Sequence, residues 1–472
     1  MMTQTNALPS WKPRSFQKEG IKLGLGQAAL GLLLPPGAGK TSMVYMLIKV
    51  LMAQGFIKRA LVICPVRPML RVWPHQKDRF AEFADLRVNV LHGKDKEQQL
   101  VEDDVDISVI NPEGLAWLFA ADKDMKPDPV RMKWLASRYD MLVVDESTKF
   151  KNSQSNRFKL LKALVPKFKR RYILTGTPTP KGLMDLFGQV YILDEGQSLG
   201  RYITHFRTKY FFPSGYGGYD WQLMPDGEQR ILDAVAPLVF RRDLKDAEID
   251  LPEIVWDDIW VDLPPAAMKL YRQMEDDMVA RMDEGSVVAE NGAVASGKCR
   301  QIANGNLIDT ETGEWRKVHA EKVDALVELI EQLQGEPCLV TYEFKSDAAD
   351  IMAALKCPNI SSGSAKKDDK NIEHFSRGLL PVVIGNPASI ALGIDGLQDS
   401  CCHIAMVGCT WKLQDYIQVI DRIRRQGSKS KRVWVHRILA RHTLDERMVK
   451  VLEQREATQD NFMDLLKAMR KQ

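Results

Sequence analysis

Two kinds of hydrophobic pattern alternate along this chain. Short runs of consecutive apolar residues, suited to strands covered on both faces, are separated by longer stretches in which apolar positions recur every three or four residues, as on a helix. Ala60 to Cys64 is such a run and stops at Pro65. Met141 to Val144 stops at Asp145-Glu146, and Arg171 to Leu174 runs into Thr175-Gly176-Thr177-Pro178. Residues 21–34 (IKLGLGQAALGLLL) read as a strand leading into a glycine-rich loop, and 41–54 (TSMVYMLIKVLMAQ) as the helix that follows it. From about residue 318 the alternation resumes: Ala320 to Leu333, Pro337 to Tyr342, Ala348 to Leu355, Pro381 to Gly385, Cys402 to Val407 and Leu413 to Arg425. The pattern predicts an α/β protein with two such domains.

Two segments interrupt it. Residues 206–221 carry seven aromatics with glycines between them, which suits either a small packed protrusion or a base-stacking surface, and packing is preferred. Residues 284–298 (EGSVVAENGAVASGK) are small and are expected to form a surface loop without chemistry.

With 472 residues, of which 45% are hydrophobic, the chain can build two or three cores without staples. Its seven cysteines are scattered through apolar runs, which suits a reducing compartment. The start lacks a signal-like apolar core, and no apolar stretch approaches the roughly 20 residues of a membrane span, so a cytoplasmic protein, in a bacterial or phage-infected cell, is expected. A net charge of +4 from 66 basic and 62 acidic residues neither demands nor excludes nucleic acid. Local basic clusters at Lys167, Lys169, Arg170 and Arg171, and at Lys429, Lys431 and Arg432, suit either phosphate contacts or a solvated face. Cys401-Cys402-His403 with Cys409 suggests a metal site, but the adjacent pair beside an apolar strand gives poor tetrahedral geometry and argues against zinc.

The candidate chemistry lies in three separated runs. Pro36-Gly37-Ala38-Gly39-Lys40-Thr41, placed between strand and helix, supplies backbone N–H groups and an ammonium for phosphates. The longer G-x-x-x-x-G-K-T form would put glycine where this chain has Leu34; the shorter G-x-G-K-T form is intact. Asp145 and Glu146 at a strand's C-terminal end lie where open α/β sheets bind ligands, so Asp145 is expected to hold Mg2+, with Thr41, and Glu146 to activate water. Thr175 and Thr177, in the hydroxyl-rich turn after the third strand, are expected to relay the state of the site. Gln418 to Arg425 (QVIDRIRR) places Gln418, Asp421, Arg422 and Arg425 on one helical face, with Arg422 and Arg425 able to point together at developing charge.

Taken in order, these motifs resemble the superfamily 2 helicase-like ATPases, and within them the SWI/SNF-type DNA translocases. Pro13 to Gln17 is similar to the family's adenine-reading segment, with Gln17 as the implied base contact. LLLPPGAGKT resembles the first ATPase motif, which implies nucleotide contacts from Gly37, Ala38, Gly39, Lys40, Thr41 and Ser42. DESTKFKN at 145–152 and LTGTPTP at 174–180 resemble the second and third. RRDLKD at 241–246, CRQIANG at 299–305, NPASIALGIDGLQ at 386–398 and QVIDRIRRQG at 418–427 resemble later landmarks, and the third of these implies Gly393 and Asp395 as further nucleotide contacts. The compact length is most similar to short phage or prophage members. Ser147-Thr148, Lys412-Leu413 and Arg424 differ from the better-known remodellers.

The resemblance implies two RecA-like lobes, each a parallel sheet covered by helices. The first would span 1–240 with a protrusion at 185–240, a linker 241–264, a helical protrusion 265–318 and the second lobe 319–472, bearing the arginine fingers. It implies an ATP- and Mg2+-dependent DNA translocase acting on double-stranded DNA, with Thr175, Thr177 and Gln418 as coupling residues. A strand-separating or annealing helicase, an RNA helicase, and a nucleotide-switched scaffold with negligible hydrolysis stay open as alternatives; the last would be marked by a damaged motif, and Lys40, Thr41, Asp145, Glu146, Arg422 and Arg425 are all present.

Overall fold

The computed structural model describes residues 8–214, 220–242, 251–283, 288–309, 311–391, 394, 396–408, 410, 412–425, 428 and 430–469. The chain divides into two compact units, residues 1–249 with 457–472, and residues 250–456.

The first unit is built on strands β1 (Ala29–Leu33), β2 (Ala60–Ile63), β3 (Val88–Val90), β4 (Ile107–Ile110), β5 (Met141–Asp145) and β6 (Arg170–Thr175). After a two-stranded hairpin of β7 (Phe211–Ser214) and β8 (Asp220–Leu223) comes β9 (Val239–Arg241). The main sheet has the order β3-β4-β2-β5-β6-β1-β9 and every pairing in it is parallel. Leu61, Val62, Leu142, Val143 and Val144 have no exposed surface, which is why these strands read as continuous apolar runs rather than alternating ones.

Residues 21–34 depart from the strand expected there. Helix α1 (Ser15–Gly26) takes the first part, and only Ala29–Leu33 is strand. Two glycines of α1 are packing contacts. A Cβ on Gly20 would lie 2.6 Å from Met43 Cε and one on Gly24 would lie 2.9 Å from Leu47 Cδ2, so their absence lets α1 lie directly on helix α2 (Lys40–Ala53). Arg170 closes the C-terminal end of α1 by donating to the carbonyls of Leu25 at 3.1 Å and Gln27 at 2.7 Å.

The second unit holds β10 (Glu253–Val261), the small hairpin β11 (Asn306–Ile308) and β12 (Trp315–Lys317), then β13 (Cys338–Tyr342), β14 (Val382–Gly385), β15 (His403–Val407) and β16 (Arg432–Ala440). Its main sheet is also wholly parallel, in the order β10-β16-β15-β13-β14. The region read as a linker therefore supplies an edge strand, in register with β16 from Glu253 opposite Arg432 to Val261 opposite Ala440. Arg437 locks that edge with two bonds to the Asp258 carboxylate, at 2.6 and 2.9 Å, and lies over the Trp256 ring.

The segment expected as a loop at 284–298 is also corrected: a helix runs Val288–Asn304. Its small residues permit helix, and its last turns are held by burial of Cys299, Ile302 and Ala303 with Tyr271, Leu263 and Leu444. No helix among the described residues is long and apolar enough to cross a membrane.

Candidate functional site

The first unit gathers the early motifs along the C-terminal edge of its sheet. The loop between β1 and α2 places Gly37 at φ 77° and Gly39 at φ 76°, a backbone that side chains rarely adopt and that turns successive N–H groups toward one concavity. A Cβ on Gly39 would lie only 2.6 Å from Gln17 Nε2. Lys40 opens α2 and donates from Nζ to the carbonyls of Leu34 at 2.7 Å and Pro35 at 3.2 Å, so its ammonium lies over the loop. Thr41 is half-buried in the first helical turn, and the buried Ser42 hydroxyl accepts from Gln76 Nε2 at 2.7 Å. Gln17, expected as a base contact, is nearly buried and ties the start of α1 to the cradle: Oε1 accepts from the Arg14 N–H and Nε2 donates to the Ala38 carbonyl, both at 2.9 Å.

Asp145 ends β5 on the same edge. Trp73 Nε1 donates to Oδ2 at 3.0 Å, and the Glu146 N–H donates to Oδ1 at 3.0 Å. Burial pushes the Asp145 carboxyl above its usual range, while the indole N–H, the Lys40 charge and the Glu146 N–H pull the other way. Glu146 has φ 52°, a left-handed conformation that costs a residue with a Cβ about 1 kcal/mol. That break ends the strand and starts the turn Ser147–Phe150. Asp145 and Thr41 offer the oxygen donors that a hard divalent cation takes, and such a cation needs few direct protein ligands.

The third motif is tied to both. A Cβ on Gly176 would lie 3.0 Å from Pro36 Cδ, so the turn after β6 packs on the phosphate loop. Thr175 is fully buried and its Oγ1 accepts from the Thr177 N–H at 3.1 Å. Thr177 Oγ1 is buried with no hydrogen-bond partner among the described residues. Gln189 then bridges the second and third motifs: its Oε1 accepts from Ser147 Oγ at 2.7 Å and its Nε2 donates to the Pro178 carbonyl at 2.7 Å. The helix that carries it, Leu186–Asp194, packs close enough that a Cβ on Gly188 would lie 2.1 Å from the Phe150 carbonyl oxygen.

Trp73, Gln76 and Gln189 were missed by sequence reasoning. Gln189 had a signal, a polar residue within the otherwise apolar run LFGQVYIL. Nothing local marked Trp73, whose partner lies far along the chain.

In the second unit, the helix Leu413–Ile423 carries the buried Gln418 with Asp421 and Arg422. Arg425 does not share that face as expected, because Arg424 leaves helical geometry at ψ 77°, held by its Nε on the Pro252 carbonyl at 2.8 Å. Arg422 Nη2 donates to the Ala391 carbonyl, and Arg425 Nε to the Asp421 carbonyl at 3.3 Å. Gly393 and Asp395 lie outside the described residues, as do Cys409 and Lys429.

The basic cluster near 167–171 is largely committed within the first unit. Lys169 pairs with Asp140 at 2.6 Å, Arg171 pairs with Glu195, and Arg170 closes α1. In the aromatic segment, Phe206, Tyr210 and Phe211 are buried in one cluster with Phe187, and the Arg207 guanidinium lies over Trp221, which agrees with packing. Tyr216 and Tyr219 lie outside the described residues.

The SNF2-related domain matches residues 17–307, and the helicase conserved C-terminal domain matches 321–427. The chain is 28% identical over 476 aligned residues to protein p41 of Acyrthosiphon pisum secondary endosymbiont phage 1, covering 98% of this chain and 100% of that one. It is 20% identical to the uncharacterized ATP-dependent helicase YqhH of Bacillus subtilis, covering 94% of this chain and 78% of YqhH. An uncharacterized ATP-dependent helicase of Mycoplasma genitalium is 24% identical, and the chain spans 41% of its length. Among solved structures, the Sulfolobus solfataricus SWI2/SNF2 ATPase core in complex with dsDNA aligns over 98% of this chain and 96% of that one, at 21% identity and a TM-score of 0.44.

Proposed function

Because the chain belongs to the SNF2-related family of helicase-type ATP hydrolases, we propose that it is a motor coupling ATP hydrolysis to movement along double-stranded DNA. The observation that carries the catalytic part is the convergence, on one sheet edge, of the glycine loop with Lys40, of Asp145 beside its Trp73 donor, and of the Thr175–Pro178 turn that Gln189 joins to Ser147. Family membership carries the substrate.

Phosphates entering the loop would meet the N–H groups at the start of α2 and would draw the Lys40 ammonium off the Leu34 and Pro35 carbonyls, exchanging neutral acceptors for charged ones. Asp145 and Thr41 would hold Mg2+, which would supply charge neutralisation for the bound phosphates. Glu146, fixed where β5 ends, takes the proton of the attacking water. Thr175, Thr177 and Gln189 connect that carboxylate pair to the phosphate loop, so a change at one alters the other. Arg422 and Arg425 are assigned to the charge that develops on the transferred phosphoryl group, and Gln418 to coupling. Gly393 and Asp395 complete the proposed nucleotide contacts.

Steady-state ATP hydrolysis with no nucleic acid, duplex DNA, single-stranded DNA or RNA tests this reading, with Glu146→Gln as the blank. Strong stimulation by duplex is expected. Stimulation confined to single strands or RNA would replace the translocase with a strand-separating or RNA helicase. Glu146→Gln is expected to keep ATP binding while turnover falls about 10²- to 10⁴-fold, and Arg425→Ala to lose turnover with DNA affinity kept. Ordinary hydrolysis in either variant would remove the role assigned to it.

A further inference from the structure

The opposite end of the second sheet carries a cluster that the ATPase chemistry does not use. Glu336 precedes β13 and Cys402 precedes β15, and these strands are neighbours, so both residues arrive beside His403, the first residue of β15. One Glu336 carboxylate oxygen, Cys402 Sγ and a His403 ring nitrogen all lie within 4.8 Å of one another, with Glu336 Oε2 2.8 Å from His403 Nε2. The other His403 nitrogen, Nδ1, is 3.0 Å from His436 Nε2, and His436 Nδ1 is 2.7 Å from Asp257 Oδ2. The two imidazole planes lie within 11° of one another with centroids 5.3 Å apart, edge to edge along that hydrogen bond, and the Trp434 ring lies within 12° of the His403 plane at 6.3 Å.

We propose that Glu336, Cys402 and His403 form a binding site for a thiophilic divalent cation of the zinc class. Thiolate, imidazole and carboxylate form a donor set suited to zinc, and three protein ligands leave one position for water. His403 is buried and fixed, whereas Glu336 is well exposed on the turn before β13, so the carboxylate can move the fraction of an ångström needed to admit an ion. With Nε2 on the metal, the His403 proton sits on Nδ1 and is donated to His436 Nε2, while His436 Nδ1–H is donated to Asp257. Every donor in the chain then meets an acceptor, in the outer-shell arrangement that orients metal-bound histidines. As the metal–sulfur bond forms, the Cys402 thiol releases its proton to solvent.

The cysteine pair and Cys409 could not show this from sequence. Cys401 Sγ is turned to the carbonyls of Pro337 at 3.2 Å and His403 at 3.0 Å, and the third ligand comes from another strand's entry turn. The ion would join the entries to β13 and β15 and, through His436 and Asp257, reach β10. That gives it a stabilising rather than a catalytic place.

Cobalt(II) titration of the full chain, without nucleotide or magnesium, reads the site directly. A thiolate-to-cobalt absorption band that zinc displaces is expected, lost in Cys402→Ser. In Glu336→Gln, an exposed change that leaves the fold alone, the band should survive with affinity at least tenfold weaker. Absence of the band, its persistence in Cys402→Ser, or undiminished affinity in Glu336→Gln would each overturn the proposal.

Discussion

Each unit places a carboxylate at or just beyond the C-terminal end of an interior parallel strand: the half-buried Asp145 on β5 in the first, and the buried Asp347 shortly after β13 in the second. Burial pushes both above the ordinary range, Asp347 to about 6. Their partners differ. Asp347 Oδ2 accepts from the Phe344 N–H at 3.0 Å, the Glu343 N–H at 3.3 Å and Asn304 Nδ2 at 2.9 Å. Asn304 in turn accepts from Lys322, which has no exposed surface and pairs with Asp445 at 2.5 Å. That network joins four helices and the end of a strand, and leaves Asp347 Oδ1 buried without a hydrogen-bond partner among the described residues. Asp145 has one indole N–H, its neighbour's backbone N–H and a nearby ammonium that can be redirected. A raised carboxyl therefore does not separate chemistry from architecture; the nature of its partners does.

Exchanging the carboxylates for amides should break the pair apart most strongly. Asp145→Asn is expected to lower ATP turnover at least about 10³-fold by removing the proposed magnesium ligand, with little change in melting temperature. Asp347→Asn is expected to keep turnover within about threefold, because it keeps the acceptor for all three donors. Parallel measurement of hydrolysis and thermal unfolding decides it: comparable loss of turnover in both variants would abolish the distinction.

Trp73→Phe sharpens the same comparison from the partner's side. The substitution keeps an aromatic ring against Tyr45, whose hydroxyl bonds the backbone carbonyl of residue 73 and so survives the change. It deletes the N–H on Asp145, together with the part of the fully buried indole that a phenyl ring does not fill. A hydrogen bond to a charged group is worth roughly 1.5–3 kcal/mol, so turnover should fall about ten- to a hundredfold and the magnesium requirement should rise. Unaltered kinetics would show that Trp73 serves packing alone.

The parts of this molecule legible in the sequence are those whose chemistry is local. The glycine loop, Asp145-Glu146 and the Thr175–Pro178 turn each carry their meaning within a few residues, and the apolar runs of β2, β5 and β13 announce parallel strands by being covered on both faces. What sequence could not place depends on distant neighbours. Residues 21–26 look like strand until Gly20 and Gly24 are found close against Met43 and Leu47. Residues 288–298 look like a loop until the turns that follow are seen buried on Tyr271. Arg425 looks helical until Arg424 is seen held by the Pro252 carbonyl, on the other side of the second unit's sequence.

The smallest effect expected is on stability, and it concerns Asp347 alone. Its carboxyl sits at about 6 in the fold against an ordinary 3.8. Between those values the folded chain keeps a proton that the unfolded chain has released, so stability is full at low pH and falls as pH rises through 6. Ionising the buried group costs at most roughly 3 kcal/mol, a net cost in which the three donors on Oδ2 and the Lys322 charge are already included. Asp347→Asn is neutral at every pH and removes this slope. The variant's melting temperature relative to the wild type should therefore climb between about pH 3.8 and about pH 6, while any constant offset reports only the exchange of one oxygen for nitrogen. Because every other titrating group is common to both proteins, the difference isolates Asp347. A difference that did not change with pH would mean that the network around Lys322 fully compensates the ionised carboxylate, which would make Asp347 a satisfied anion and leave Asp145 as the one carboxylate of the two whose burial works against its charge.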